Sequence, residues 1–441
     1  MKTEDFASLQ PQLFTTEESP SKDALVEVIV PPLSAPYTYK IPNDCLKESL
    51  LGCRVSVPLG NRVSTGYVTS SEASPPTEKR FKIKAVSNTP IPEPCFTPEQ
   101  LQFYKWIAEY YAAPLGVVLE TAIPNPTPKK NAVIWKCNPN FDPAMLKNAR
   151  KQQELYSILQ KQSELGMEQS LLLKQLPNCR QAIRRLTEIS AIFRIEQPEN
   201  PSDYLEPPIP SDESTAIILN ERQQNALQSI LAPLNRGEFE SFLLHGITGS
   251  GKTEVYIQAA QHALSLGGGV LVLVPEIALT PQLIDRFRRH IREPIALLHS
   301  SVSPRKRWLS WKALLNGQCR IALGARSAVF TPIPNLKLVI VDEEHDGSYK
   351  QGEGLRYHAR DLAVVRASLE NSVAILGSAT PSIETYYNAA SKKFHYLKLP
   401  ERPFQTEKLR YEIVNLNKIS KGDMPSRNIS PLLYESIQEA L

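Results

Sequence analysis

Two rhythms of apolar residues run along this chain of 441 residues, and the change from one to the other divides it. Between about 24 and 124, short stretches alternate apolar and polar positions: 24–30, 37–41, 53–58 and 65–69, punctuated by Pro and Gly. A period of two puts one face of each stretch into a core, which predicts strands of a small barrel-like domain. Helical spacing follows at 98–111. A proline-rich connector at 123–128 marks a boundary, after which residues 129–196 predict helices at 152–162, 167–176 and 178–189 and a β-wing at 191–196. The third of these helices carries Arg180, Arg184 and Arg185. That suits a recognition helix of the helix-turn-helix type, and equally a small protein-interaction bundle with a charged face. A second linker rich in Pro and acids spans 197–214. From 215 to 430, apolar runs at 241–246, 268–275, 294–299, 319–325, 336–342 and 372–378 alternate with helical segments. Such alternation is the βαβ signature of an α/β domain with a mostly parallel sheet. Residues 1–23 are polar and are expected to be disordered.

Two motifs sit on that periodicity. Gly246-Ile247-Thr248-Gly249-Ser250-Gly251-Lys252-Thr253 fits the phosphate-cradling G-x-x-x-x-G-K-[ST] loop, with an apolar strand before it and a helix after it. Its glycines let backbone N–H groups turn inward, and the helix N-terminus adds partial positive charge. Lys252 is placed for the β/γ-phosphates and the Thr253 hydroxyl for Mg²⁺. The second motif, Leu336 to His345, is an apolar run ending in Asp342-Glu343-Glu344-His345. Carboxylates at the C-terminal end of a buried parallel strand lie where ligands bind in an open α/β sheet. Asp342 would hold Mg²⁺, Glu343 would orient or deprotonate a water, and His345 would couple nucleotide state to its neighbours. Together the motifs predict an NTP-hydrolysing fold.

Charge and cysteine usage narrow this little. With 50 Lys and Arg against 46 Asp and Glu the net charge is only +4, so no global basic field announces nucleic acid. The basic runs at 286–290 and 305–307 read first as solvated helix faces. Six scattered cysteines (45, 53, 95, 137, 179 and 319) form no C-x-x-C, which argues against a disulfide framework or a structural zinc site here. No signal peptide or long apolar span is visible, and a cytoplasmic protein is expected.

The order of motifs carries more than a generic phosphate loop. Leu219-Asn220-Glu221-Arg222-Gln223 lies upstream of it, and Val274 to Gln282 follows the second strand of the lobe. Gly324-Ala325-Arg326-Ser327 to Pro332 follows the fourth, Tyr349 to Arg360 follows the acidic motif, and Gly377-Ser378-Ala379-Thr380-Pro381 closes the set. Together they resemble the PriA family of primosomal proteins, superfamily 2 DNA helicases that move 3′ to 5′ on single strands in replication restart. The resemblance runs from about 24 to 441, and its N-terminal part is carried by Gly52-Cys53-Arg54-Val55-Ser56-Val57-Pro58-Leu59-Gly60.

The resemblance implies ATP and Mg²⁺ as cofactors, with Gln223 reading the adenine. It implies a pocket for a DNA 3′ end lined by Tyr37, Thr38, Gly60 and Lys84, with Thr38 standing where the family often has an aspartate. Arg326, Ser327, Tyr349, Lys350, Arg356, Ser378 and Thr380 would meet DNA. Backbone N–H groups, hydroxyls and Arg326 can grip phosphates without reading sequence, and aromatic residues beside Lys350 and Arg356 can stack bases. Leu355 stands where the family usually has tryptophan, so Leu355→Trp is expected to raise DNA-stimulated hydrolysis. Partners by resemblance are forked and single-stranded DNA, single-strand-binding protein and primosome components, with no membrane, for a monomer in the nucleoid. The family's zinc-binding cysteine clusters and second lobe have no counterpart before Leu441, where a helix at 431–441 would open that lobe. A fragment, a split-gene product and a natural truncation all fit this. ATP binding, weak hydrolysis and no independent unwinding are the expectation. Two functions stay open: a restart helicase motor, or a fork-binding platform with a slow nucleotide lobe.

Overall fold

The computed structural model describes residues 24–41, 50–73, 83–87, 93–125, 131–146, 149–162, 166–198, 200–210, 218–401, 412–420, 426 and 428–440. The expected disordered tail at 1–23 and parts of both linkers (126–128, 199 and 211–214) lie outside the described residues. Residues up to Glu401 form one compact unit and those from Arg402 a second. The described part of the second unit contains one helical turn, Leu416–Lys418, and a helix, Pro431–Ala440.

The first domain is built on β1 (Ala24–Ile29), β2 (Tyr37–Ile41), β3 (Arg54–Leu59) and β4 (Arg62–Ser70). They form an antiparallel sheet in the order β2-β1-β4-β3. The period-two positions Val26, Val28, Tyr39, Ile41, Val55 and Val57 are buried together. Residues 83–87 tie the two edges of this sheet to each other. Lys40 N–H donates to the Lys84 carbonyl at 2.9 Å on the β2 side, and Ser87 N–H donates to the Ser56 carbonyl at 2.7 Å on the β3 side. This edge-to-edge closure makes the domain barrel-like. Helix α1 (Pro98–Tyr110) starts at a capping box, with Thr97 and Gln100 each accepting the other's backbone N–H. Helix α2 (Leu115–Ala122) was not anticipated from sequence. Its Gly116 must be small, since a Cβ there would lie 2.5 Å from the Leu33 carbonyl oxygen.

The second segment contains β5 (Asn131–Cys137), α3 (Arg150–Gln160), β6 (Met167–Glu168), α4 (Gln169–Gln175), α5 (Arg180–Glu188) and β7 (Ile192–Pro198). Its sheet runs β6-β5-β7, antiparallel, and Trp135, Leu155, Leu159, Leu172, Ile183 and Leu186 form a core of their own. Three helices fall near their predicted positions, whereas β5 was missed beside the proline-rich connector.

The lobe begins with α6 (Glu221–Arg236) and continues through β8 (Glu240–Gly246), α7 (Lys252–Ser265), β9 (Gly269–Leu273), α8 (Pro281–His290), β10 (Ile295–Leu298) and α9 (Pro304–Leu315). It goes on through β11 (Ile321–Gly324), β12 (Leu336–Val341), α10 (Ala359–Leu369), β13 (Val373–Ser378), α11 (Ile383–Ala390) and β14 (His395–Leu399). The described strands form one parallel sheet in the order β10-β11-β9-β12-β13-β8-β14. β8, which feeds the phosphate loop, and β12, which ends in the acids, are separated by β13 alone, so both motifs open on the same sheet edge.

The first domain does not stand apart from the lobe. Phe103, Tyr104, Val118 and Leu119 share one buried cluster with Phe330, Ala359 and the sheet. Gln100 Nε2 (2.6 Å) and the Tyr104 hydroxyl (3.2 Å) both donate to the Phe330 carbonyl, and Trp311 Nε1 donates to the Cys95 carbonyl at 2.8 Å.

Candidate nucleotide site and nucleic-acid face

Strand β8 is buried from Ser241 to Leu244 and delivers the chain to a loop that only glycine can make at two points. Gly249 (φ 80°) and Gly251 (φ 82°) take left-handed conformations, and a Cβ at Gly246 would overlap the Ser250 hydroxyl. Lys252 opens α7 with its side chain buried. Its ammonium donates to the Gly246 carbonyl at 2.9 Å and lies 3.8 Å from the Glu343 carboxylate. Thr248 and Gly249 are exposed, Thr253 is half-buried, and Ser250 Oγ is buried with no partner among the described residues. Inward-turning glycines, a lysine, a hydroxyl and two hard carboxylates are a donor set that fits a nucleotide phosphate with Mg²⁺.

The acids are held more firmly than their sequence suggests. Asp342 N–H donates to the Leu273 carbonyl at 2.9 Å, the Tyr349 hydroxyl donates to the Asp342 carbonyl at 2.7 Å, and the Tyr256 hydroxyl donates to Asp342 Oδ1 at 3.0 Å. Burial raises the Asp342 carboxyl above its ordinary range and the Glu343 charge adds to this, while Lys252 and the Tyr256 hydroxyl oppose it. Glu343 sits at φ 45°, a conformation a non-glycine residue holds only where its surroundings over-determine it. His345 Nδ1 lies 2.8 Å from Ser378 Oγ, so the acidic motif and the segment after β13 meet through one contact.

Glu344 was given no role from sequence. It is completely buried and accepts from Ser382 N–H (2.7 Å), Thr385 Oγ1 (2.8 Å), Ser382 Oγ (3.0 Å) and Arg360 Nη1 (3.2 Å). A third acid directly after Asp342 and Glu343 was the available signal, since so much charge at a strand end must find partners.

Four sequence expectations need correction. Gln223 is buried with its amide engaged: its Oε1 accepts Asn220 N–H at 2.8 Å and its Nε2 donates to the Ser250 carbonyl at 2.9 Å, so it braces the phosphate loop. Tyr349 is fully buried under Asp342, which leaves no ring face for stacking a base. Ser378 is buried with its hydroxyl 2.8 Å from His345 Nδ1, so its side chain is not on the exposed surface that a DNA contact needs. Leu355, expected among residues that meet DNA, is 4% exposed and packed in the core, where a tryptophan would overpack its neighbours.

The remaining expected DNA residues fall into two groups. Ser327, Lys350, Arg356 and Thr380 are exposed. Arg326 Nη1 donates to the carbonyls of Ser348 (3.1 Å) and Lys350 (2.9 Å), one on each side of Tyr349. The guanidinium therefore grips the turn whose tyrosine supports Asp342. In the first domain Tyr37 is exposed at the start of β2, with Thr38 next to it. Lys84 Nζ donates to the Gly60 carbonyl at 3.3 Å, bringing those two positions together.

Phosphate loop, strand-end acids and a parallel sheet define the class as a P-loop nucleotide-binding lobe. Family models agree: a DEAD/DEAH box helicase domain matches residues 220–389 and a PriA 3′DNA-binding domain matches residues 26–124. The relatives are replication restart protein PriA. The protein of Haemophilus influenzae is 35% identical over 402 residues, covering 87% of this chain and 53% of that protein. That of Synechocystis is 32% identical over 92% of this chain and 59% of its own length, and that of Bacillus subtilis 42% identical over 42% and 23%. The chain is thus a relative of PriA from the 3′DNA-binding domain through the helicase lobe, and it spans about half the length of the curated relatives it matches. Among solved structures, RecG bound to a three-way DNA junction gives a TM-score of 0.33 at 21% identity, covering 59% of this chain and 31% of that one. No helix among the described residues is long and apolar enough to cross a membrane.

Proposed function

We propose that this chain acts in replication restart as an ATP-dependent DNA helicase of 3′-to-5′ polarity. The first domain captures a DNA 3′ end at forks, and residues 131–198 serve as a winged-helix domain. The lobe binds ATP and Mg²⁺. The observation that carries the reading is the chain of contacts from Arg326 through the Ser348–Lys350 turn to Asp342, which joins a surface expected to meet DNA with the nucleotide acids. Lys252, Thr253 and the loop N–H groups would receive the β/γ-phosphates, with Thr253 and Asp342 on the cation, which supplies charge neutralisation at the phosphates. Glu343, 3.8 Å from Lys252 and 3.7 Å from His345, is the base or orienting group for the attacking water. Tyr37, Thr38, Gly60 and Lys84 take the 3′ terminus. Single-strand-binding protein and primosome components are the proposed partners.

The test is steady-state ATP hydrolysis by this chain with and without forked DNA bearing a leading-strand 3′ end, with fork affinity measured in the same samples. Fork-stimulated turnover that is abolished in Lys252→Ala supports the motor reading. Tight fork binding with hydrolysis no higher in wild type than in Lys252→Ala overturns it and supports a recognition platform.

A further inference from the structure

Tyr256 is buried at the centre of the lobe and was given no role by the motifs. It lies one helical turn after Thr253 on α7, a helix packed on β9 and β12. Its hydroxyl donates to Asp342 Oδ1 at 3.0 Å. A Cβ at Gly377 would overlap that same hydroxyl, and the Gly377 carbonyl accepts Glu344 N–H at 3.0 Å. Three elements therefore converge on one oxygen: the helix of the phosphate loop, the strand of the acids, and the strand that ends in Gly377-Ser378. A buried phenol has one donor to give, and here it goes to the carboxylate.

We infer that Tyr256 is a positioning residue that sets the orientation of the Asp342 carboxylate toward a Mg²⁺–nucleotide, and that Gly377 is glycine because the hydroxyl occupies the space of its side chain. The inference rests on the nucleotide reading above. A partner that orients a metal-binding carboxylate changes metal affinity by about 10- to 100-fold when removed. Loss of packing alone would weaken nucleotide binding with or without the cation.

The experiment titrates a fluorescent ATP analogue into this chain in excess EDTA and in saturating Mg²⁺, and compares wild type, Tyr256→Phe, Asp342→Asn and the double variant. In wild type Mg²⁺ tightens binding. Tyr256→Phe is expected to cut that gain about tenfold, to leave the EDTA affinity within about twofold, and to add nothing on the Asp342→Asn background. Gly377→Ala reaches the same hydrogen bond by displacing the hydroxyl and serves as the second variant, with the same expected loss. A gain that is unchanged in Tyr256→Phe, or a parallel fall in both affinities, overturns the inference while leaving the nucleotide site standing. Absence of any Mg²⁺ gain in wild type overturns the site and the inference with it.

Discussion

Removing the Glu344 side chain should damage the lobe more than removing either of the acids before it. Its carboxylate is fully buried and accepts four hydrogen bonds between 2.7 and 3.2 Å, one of them from an Arg360 side chain that is only 10% exposed. In Glu344→Ala the Arg360 charge loses a buried partner, and the Ser382 N–H and Thr385 hydroxyl lose their acceptor. Breaking a buried pair from one side costs about 3–5 kcal/mol. Because the lobe shares its core with the first domain, the larger unit moves its melting midpoint by about 2 °C per kcal/mol, so a fall of roughly 6–10 °C is expected. Glu344→Gln keeps the shape but sets an amide donor against these donors, and should fall in between. In Glu344→Ala the Arg360 guanidinium keeps only Asp361 as a charge partner, at 2.8 Å, so pairing the change with Arg360→Met should recover part of the loss. The assay is thermal unfolding followed by tryptophan fluorescence, since Trp308 and Trp311 lie in the lobe. A midpoint within about 2 °C of wild type in Glu344→Ala would refute the reasoning.

Other perturbations test other joints. Trp311→Phe deletes the bond to the Cys95 carbonyl and should cost about 1 kcal/mol, read as faster limited proteolysis between the first domain and the lobe. Leu355→Trp should lower the melting midpoint by overpacking, an expected cost of about 1–3 kcal/mol, and should not raise DNA-stimulated hydrolysis. Burial pushes the Cys95 thiol up to about 12 and the Cys319 thiol up to about 11, so neither holds appreciable thiolate at pH 8. Mass spectrometry should find both unreactive to iodoacetamide in the folded chain and modified once it is unfolded.

The sequence showed most clearly those features whose chemistry is local. A glycine loop needs its own backbone angles, and an apolar run ending in acids needs a buried strand, so β8, α7 and β12 could be placed without tertiary information. Strand β14 could not, because as an edge strand with His395 and Tyr396 exposed it lacks the apolar run of a central one. Tyr349, Ser378 and Gln223 were placed in the correct segments, but their facing was misread. Which way each side chain faces depends on the Asp342 carbonyl, His345 and the Ser250 carbonyl lying across the fold. Glu344 and Tyr256 were hidden for the same reason, since their partners are 16 to 86 residues away.

The shared cluster beneath α1 bears on how the chain can be taken apart. In order along the sequence there are three modules ahead of Arg402, but cooperatively there are closer to two. Residues 131–198 carry a private core between two linkers, so their excision and religation should leave the rest foldable. Cutting after α2 would instead strip Phe103, Tyr104 and Leu119 from Phe330 and leave the lobe with a sticky, half-built flank. For dissection, the domain that precedes the lobe by the whole of that insert is its structural neighbour, and the adjacent one is the detachable guest.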